Sequence, residues 1–204
     1  MSTTAEFHFD FGSPNSYLCH RVIPEIESRT GVHFDYVPVL LGGIFKATNN
    51  RSPMEQFAGV KNKNEYQALE TQRFIKKHGI DNFQRNPFFP VNTLQLMRAA
   101  VYAKGQDFYQ DYVEAMYRCM WEEGLDMSDS ETFKQSLLNV GLPADEIIAA
   151  TQDPQVKQQL MDSTSASVER GTFGSPTFFV GDEIFFGKEK LADVEEQIRR
   201  FLHS

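Results

Sequence analysis

An α/β architecture, with two strand-bearing ends separated by a long helical block, follows from three observations. Residues 6–40 alternate in hydrophobicity, switch to a four-residue period, and return to a strand-like run. Residues 42–172 carry helical periods and no strand signal, and residues 177–202 read as two short strands and a closing helix. The order β-α-β, helices, β-β-α is that of a thioredoxin-like core interrupted by a large all-helical insertion domain. Residues 1–42 and 172–204 then form the core and residues 43–171 the insertion.

Each element has a local reason. Glu6 to Phe11 places Phe7, Phe9 and Phe11 on one sheet face and Glu6, His8 and Asp10 on the other, as a strand of period two requires. Gly12-Ser13-Pro14 breaks that strand. Ser13 is then a helix N-cap with Pro14 at the first helical position, and Leu18, Val22 and Ile26 repeat at four-residue spacing. Pro24 is expected to kink this helix, and Thr30-Gly31 to close it. His33 to Leu40, rich in β-branched and aromatic residues, forms a second strand parallel to the first by the crossover rule.

Helical periods follow at 64–78, 93–104, 106–122, 129–139, 143–151 and 154–170. Phe108, Tyr112, Ala115 and Cys119 share one stripe, so Cys119 is read as filling core space and not as a reactive thiol. Thr177 to Val180 and Glu183 to Phe186, joined at Gly181-Asp182, form a hairpin, and Leu191, Val194, Ile198 and Phe201 mark the last helix.

Composition narrows the function classes. The chain of 204 residues is 41% hydrophobic with 18 Phe, enough to bury a substantial core. A formal charge of −8 argues against a nucleic-acid surface, which needs clustered cations. The polar opening residues 1–5 carry no signal-peptide pattern, and no apolar run has the length of a membrane span. Cys19 and Cys119, far apart in sequence, suit a reducing cytoplasm better than a disulfide framework, and no metal site is expected.

In a thioredoxin-like core the chemistry sits at the N-terminus of the first helix, where free N–H groups and the helix dipole favour an anion such as a thiolate. Here that position reads Ser13-Pro14-Asn15-Ser16, and serine oxygens cannot exchange a disulfide. Any sulfur has to come from a ligand. A second Gly-Ser-Pro ends at Pro176 and opens the third core strand, where this fold keeps a cis proline facing the helix start. His8, His33, His78 and His203 show no partner spacing and receive no role. Phe88, Phe89 and Pro90 either line a pocket for an aromatic substrate or pack the insertion onto the core.

Four segments in order, F-D-F-G-S-P-N-S-Y-L, V-P-V-L-L-G-G-I-F-K-A-T-N-N, F-P-V-N-T-L and F-G-S-P-T-F-F-V-G-D-E-I-F-F-G, resemble the glutathione-dependent 2-hydroxychromene-2-carboxylate isomerases. These group with kappa-class glutathione transferases and DsbA-like thioredoxin folds. The resemblance implies that Ser13 donates its hydroxyl to the glutathione sulfur and that Ser175, before Pro176, pairs with the cysteinyl backbone of glutathione. It further implies that Asn50 and Lys63 hold the glycine end, and that Glu189, with Lys188 beside it, receives the γ-glutamyl end. The sequence departs from the pattern at Asn49, where glycine is typical, and at Lys188-Glu189, where Ser or Asn followed by Asp is typical.

The implied reaction is reversible thiolate addition to an unsaturated 2-oxo acid derived from an aromatic ring, rotation about the former double bond, and elimination. The implied assembly is a homodimer. Two other readings stay open: a kappa-like transferase that releases a glutathione conjugate, and a non-catalytic thioredoxin-fold protein that binds thiol peptides.

Overall fold

A computed structural model describes residues 5–203, so the polar stretch at residues 1–4 that bore on export lies outside the described residues. Its centre is a four-stranded sheet of order β2-β1-β3-β4. Strand β1 (Ala5–Phe9) pairs in parallel with β2 (Phe34–Pro38), Phe7 opposite Tyr36, and antiparallel with β3 (Thr177–Val180), Phe7 opposite Phe178. Strand β4 (Glu183–Phe186) closes one edge. The thioredoxin-like α/β core with a large helical insertion is therefore as the sequence predicts.

Helix α1 (Pro14–Thr30) crosses from β1 to β2. It is capped by Ser13 and ended by Gly31 at φ 72°, a left-handed conformation that glycine adopts without steric cost. Pro24 lies inside α1, which nevertheless runs through to Thr30 as one helix. Strand β1 stops two residues before the predicted Phe11. The Asp10 carbonyl accepts the Ser13 N–H at 3.1 Å and the Asp10 carboxylate accepts the Gly12 N–H at 2.8 Å, turning the chain off the sheet.

Two helices of the insertion have no counterpart in the sequence reading: α2 (Leu41–Thr48), inside which the predicted boundary at 42/43 falls, and the single turn α3 (Pro53–Gln56). The others match closely: α4 (Lys63–His78), α5 (Leu94–Ala103), α6 (Tyr109–Trp121), α7 (Ser130–Asn139), α8 (Ala144–Ala150) and α9 (Pro154–Glu169). A 3-10 turn at Lys188–Lys190 leads into the last helix, α10 (Leu191–Leu202). No helix of the described residues is long and apolar enough to cross a membrane.

One core runs from the sheet into the insertion. Phe7, Phe9 and Phe11 are fully buried and meet Tyr36, Tyr112, Tyr117 and Phe178 through stacked and edge-on ring contacts, at centroid distances of 4.8–5.9 Å. Such contacts add to the burial of large aromatic area, so the aromatic-rich composition is spent chiefly in locking α6 under β1. The opposite sheet face is buried too. His8 bridges Glu6 at 2.9 Å and Ser167 of α9 at 2.8 Å, so the buried His8 anchors the end of the insertion, while Glu6 stays partly exposed and pairs with Arg170. Tyr112, Ala115 and Cys119 are buried as expected. Phe201 departs from its predicted apolar stripe: it is 41% exposed, and its ring lies over Gly181 in the hairpin turn.

Candidate functional site

The start of α1 meets the start of β3. Ser13 lies in extended backbone at φ −93°, and its Oγ accepts the Ser16 N–H at 3.2 Å, the geometry of an N-cap. The same hydroxyl donates to the Ser175 carbonyl at 2.9 Å, and the Ser175–Pro176 peptide bond is cis. Thus the two Gly-Ser-Pro copies, far apart in sequence, face each other across a single hydrogen bond.

Ser16 is a residue the sequence reading does not select. Its hydroxyl is fully buried and shares a 2.9 Å hydrogen bond with the Ser175 hydroxyl, which in turn donates to the His8 carbonyl at 3.3 Å. The second serine of S-x-x-S therefore ties the cis-proline loop to α1 from beneath. Its signal in the sequence is its spacing of three from Ser13, which places both side chains on one face of the first turn.

Around this pair the other expected residues are distributed unevenly. The Asn50 amide donates to the Phe173 carbonyl at 2.7 Å, which attaches the end of α2 to the loop that leads into Ser175-Pro176. The Gly187 N–H donates to the Pro176 carbonyl at 3.0 Å, bringing the Lys188–Lys190 turn beside the same proline. Lys188 is only 5% exposed. Its ammonium pairs with Glu189 at 2.5 Å and lies 5.9 Å from the centre of the Phe74 ring on α4. Lys63, at the first position of α4, is 5.1 Å from the centre of the Phe57 ring and makes no contact with the serine cluster among the described residues.

The β1–α1 loop is fixed from the other side by the end of α6 and the start of α5. The Trp121 indole N–H donates to the Phe11 carbonyl at 2.7 Å, and Thr93 packs against Gly12, where an added Cβ would meet it at 3.2 Å. Phe89, which precedes a second cis proline at Pro90, lies 5.9 Å from the Trp121 ring, while Phe88 is 53% exposed. Phe89 thus packs on Trp121 within the insertion, and Phe88 is open to solvent beside it. Two surface concavities, of about 340 and 660 Å³, lie elsewhere, along α7 and between the end of α5 and α9.

Neither cysteine can act here. Cys19 and Cys119 are both free and buried, and burial pushes both thiols above their ordinary range. The Glu6-His8-Ser167 contact imitates a hydrolytic triad, but Ser167 is fully buried and its hydroxyl donates to Thr172 at 2.7 Å. Burial also holds His8 below its usual pKa. No substrate can reach this serine, and its role is to bind α9 to β1. His20, which has no place in the sequence reading, lies on the buried face of α1 and joins the Tyr36 hydroxyl at 2.9 Å and the half-exposed Glu114 at 2.9 Å.

What remains is a hydroxyl at a helix N-terminus, opposite a peptide edge set by a cis proline. Chemically, this arrangement can hold an extended peptide and donate a hydrogen bond to an anion placed at the helix start.

Comparison with known proteins agrees with the fold. The family model described as DSBA-like thioredoxin domain matches residues 4–199. The chain is 30% identical to a 2-hydroxychromene-2-carboxylate isomerase of Sphingobium xenophagum over 97% of this chain and 99% of that protein. It is 24% identical to a kappa 1 glutathione S-transferase of Caenorhabditis elegans over 94% of this chain and 90% of that protein. A solved 2-hydroxychromene-2-carboxylate isomerase superposes with a TM-score of 0.80 at 24% identity, covering 98% of this chain and 96% of that one, a likeness of fold. With the family model spanning nearly its whole length and the cis-proline loop set against the helix start, this chain belongs to the DSBA-like thioredoxin family.

Proposed function

We propose that the chain is a glutathione-dependent isomerase that acts on 2-hydroxychromene-2-carboxylate or a related unsaturated 2-oxo acid from aromatic catabolism. The observation that carries this reading is the Ser13 hydroxyl, held at the N-terminus of α1 against cis Ser175–Pro176, where no thiol of the chain is available. The full-length likeness to a named isomerase supports it.

The residues present fit glutathione. Ser175 offers a backbone carbonyl whose present partner is an exchangeable hydroxyl, Ser13 offers an O–H donor, and Asn50, Lys63, Lys188 and Glu189 supply an amide, two ammonium groups and a carboxylate. These are the complements of a peptide backbone, a sulfur anion, two terminal carboxylates and an amine. When bound, glutathione supplies a thiol nucleophile that isomerisation does not consume.

The chain's part is electrostatic. An ordinary thiol with a pKa of about 8.5 is about 3% ionised at pH 7, and lowering that pKa by about 2 units needs about 2.7 kcal/mol in favour of the anion. A helix N-terminus contributes about 0.3–1 kcal/mol, rising to about 2 in a partly buried site, and a hydrogen bond to a charged group contributes about 1.5–3 kcal/mol. Together these suffice. Ser13 stabilises the anion by turning its proton from the Ser175 carbonyl to the sulfur, and the released carbonyl is then free to accept a ligand N–H. Ser16 keeps Ser175 in place during that exchange, because it holds the hydroxyl and not the carbonyl.

Asn50 is already fixed to the cis-proline loop, whereas Lys188 and Glu189 are paired with each other and have to open to take a γ-glutamyl group. The reading includes a homodimer in the cytoplasm, which sedimentation and cell fractionation test. The likeness to kappa-class transferases sustains conjugate formation as the second reading. Calorimetric titration with glutathione, followed by an absorbance assay on 2-hydroxychromene-2-carboxylate and mass spectrometry of the products, separates the readings. The isomerase leaves free glutathione undepleted, the transferase depletes it, and a peptide-binding module takes up no glutathione at all.

A further inference from the structure

Three of the four sequence segments that resemble known isomerases converge on one side chain that the proposed chemistry does not use. The Asp10 carboxylate accepts the Gly12 N–H at 2.8 Å and the Thr93 hydroxyl at 2.7 Å on one oxygen, and the Leu41 N–H at 2.7 Å on the other. Gly12 belongs to the segment that carries Ser13, Leu41 opens α2, and Thr93 precedes α5. Asp10 is 1% exposed and forms no ion pair among the described residues. Three donors and no acceptor around it call for an acceptor-only group, which an amide is not.

We propose that Asp10 is the positioning residue of the site: its carboxylate locks the Gly12 peptide to the starts of α2 and α5 and thereby fixes Ser13 at the head of α1. The helix α2 has no side-chain cap of its own, because Leu40 occupies its N-cap, and Asp10 satisfies one of its first N–H groups from across the fold. On the α5 side the Thr93 hydroxyl donates to the same carboxylate, and the Thr93 side chain packs on Gly12. A buried carboxylate without a counter-ion is costly, and burial shifts Asp10 toward its neutral form. Its three hydrogen bonds offset part of that cost and make the loop geometry depend on the group.

The inference takes from the proposed function only the role of Ser13, and its test needs no glutathione. In Ser13→Cys protein a thiol occupies the helix start, and its pKa is read from the pH dependence of alkylation. The buried Cys19 and Cys119 are controlled for with Ser13→Ala protein. Adding Asp10→Asn is expected to raise the pKa of the introduced thiol by about one unit, because the helix start loses its alignment. Adding Thr93→Val should give a smaller rise, and Thr93→Ser, which keeps the hydroxyl, should restore the starting value. Electrostatics alone predicts the opposite sign, since removal of a nearby negative charge lowers a thiol pKa. An introduced thiol whose pKa falls or stays unchanged with both Asp10→Asn and Thr93→Val overturns the proposal. Should Asp10→Asn not fold, the Thr93 pair decides alone. Failure of the wild-type protein to bind glutathione would count against the proposed function and leave this result standing.

Discussion

Replacing Ser13 separates the chemistry of the site from its architecture, because alanine and glycine remove the same hydroxyl at different structural cost. The hydroxyl makes two hydrogen bonds, one from the Ser16 N–H and one to the Ser175 carbonyl. Alanine at an N-cap costs typically about 1 kcal/mol, and a further contribution of up to about 1 kcal/mol comes from the Ser175 carbonyl left without its donor. Ser13→Ala should therefore lose about 1–2 kcal/mol in denaturant unfolding. Glycine is a tolerated N-cap, costing only a few tenths of a kcal/mol relative to serine, but it leaves the Ser175 carbonyl equally unpaired, so Ser13→Gly should lose about 0.3–1.3 kcal/mol, less than alanine by the difference in capping alone. Both variants forfeit the charge-assisted bond to the sulfur, about 1.5–3 kcal/mol, which corresponds to about 10- to 150-fold in turnover with glutathione. The assay is isomerisation of 2-hydroxychromene-2-carboxylate at saturating glutathione, with stability measured on the same samples. Ser13→Gly at wild-type turnover would refute the reasoning, as would activity losses that follow stability and not the hydroxyl.

Three other outcomes test the packing and electrostatics elsewhere in the fold. The Tyr117 hydroxyl is buried with no hydrogen-bond partner among the described residues, so Tyr117→Phe should raise stability by up to about 1 kcal/mol, and a clear loss in thermal unfolding would contradict that. Gly181 turns the β3–β4 hairpin at φ 60°, and an added Cβ would lie 2.5 Å from the Phe201 ring. Gly181→Ala should cost about 1–3 kcal/mol, and an unchanged melting temperature would show that the turn and ring relax freely. Glu114 is held at about 2 by its hydrogen bond from His20, with Arg21 adding to it, and Glu195 at about 2 by Arg29 and then Arg199. Both folded values lie below the unfolded one of about 4.3, so their contribution is complete above that pH and is lost as pH falls toward about 2. Glu195→Gln should flatten the decline in stability across this acid range, modestly because Arg29 is half-exposed, and an unaltered slope would remove Glu195 from the account.

The elements that can be read from sequence are those whose signals are local. The Ser13-Pro14 cap, the Gly31 stop, the Gly181-Asp182 hairpin and most insertion helices carry their own punctuation, and they sit within a few residues of where the pattern puts them. Helix α2 is not legible in this way, because Gly42-Gly43 depress its propensity and its capping partner, Asp10, is 31 residues away. Asp10 itself stands in the sequence only as one side of an alternating strand. Nothing in that alternation shows that helices cover both faces of the sheet, so the burial of His8 and Asp10 becomes visible only in three dimensions. Lys188 is a similar case: the resemblance alone sets it beside the γ-glutamyl end, and nothing in the charged run around it signals its burial against Phe74 after the Gly187 turn. The contact between Ser13 and Ser175 follows from the order of elements and not from either Ser-Pro pair. The spacing of Ser16 from Ser13 marks the absence of a cysteine pair, and only the fold shows that its hydroxyl has the Ser175 hydroxyl to meet.

The measurement closest to the central claim is the pH titration of the thiol of glutathione bound to the wild-type protein, followed by thiolate absorbance. A helix start and a donated serine proton together predict an apparent pKa near about 6.5, roughly 2 units below that of a free thiol, with most of the shift lost in Ser13→Gly protein. Bound glutathione that titrates near about 8.5 in both proteins would contradict the account.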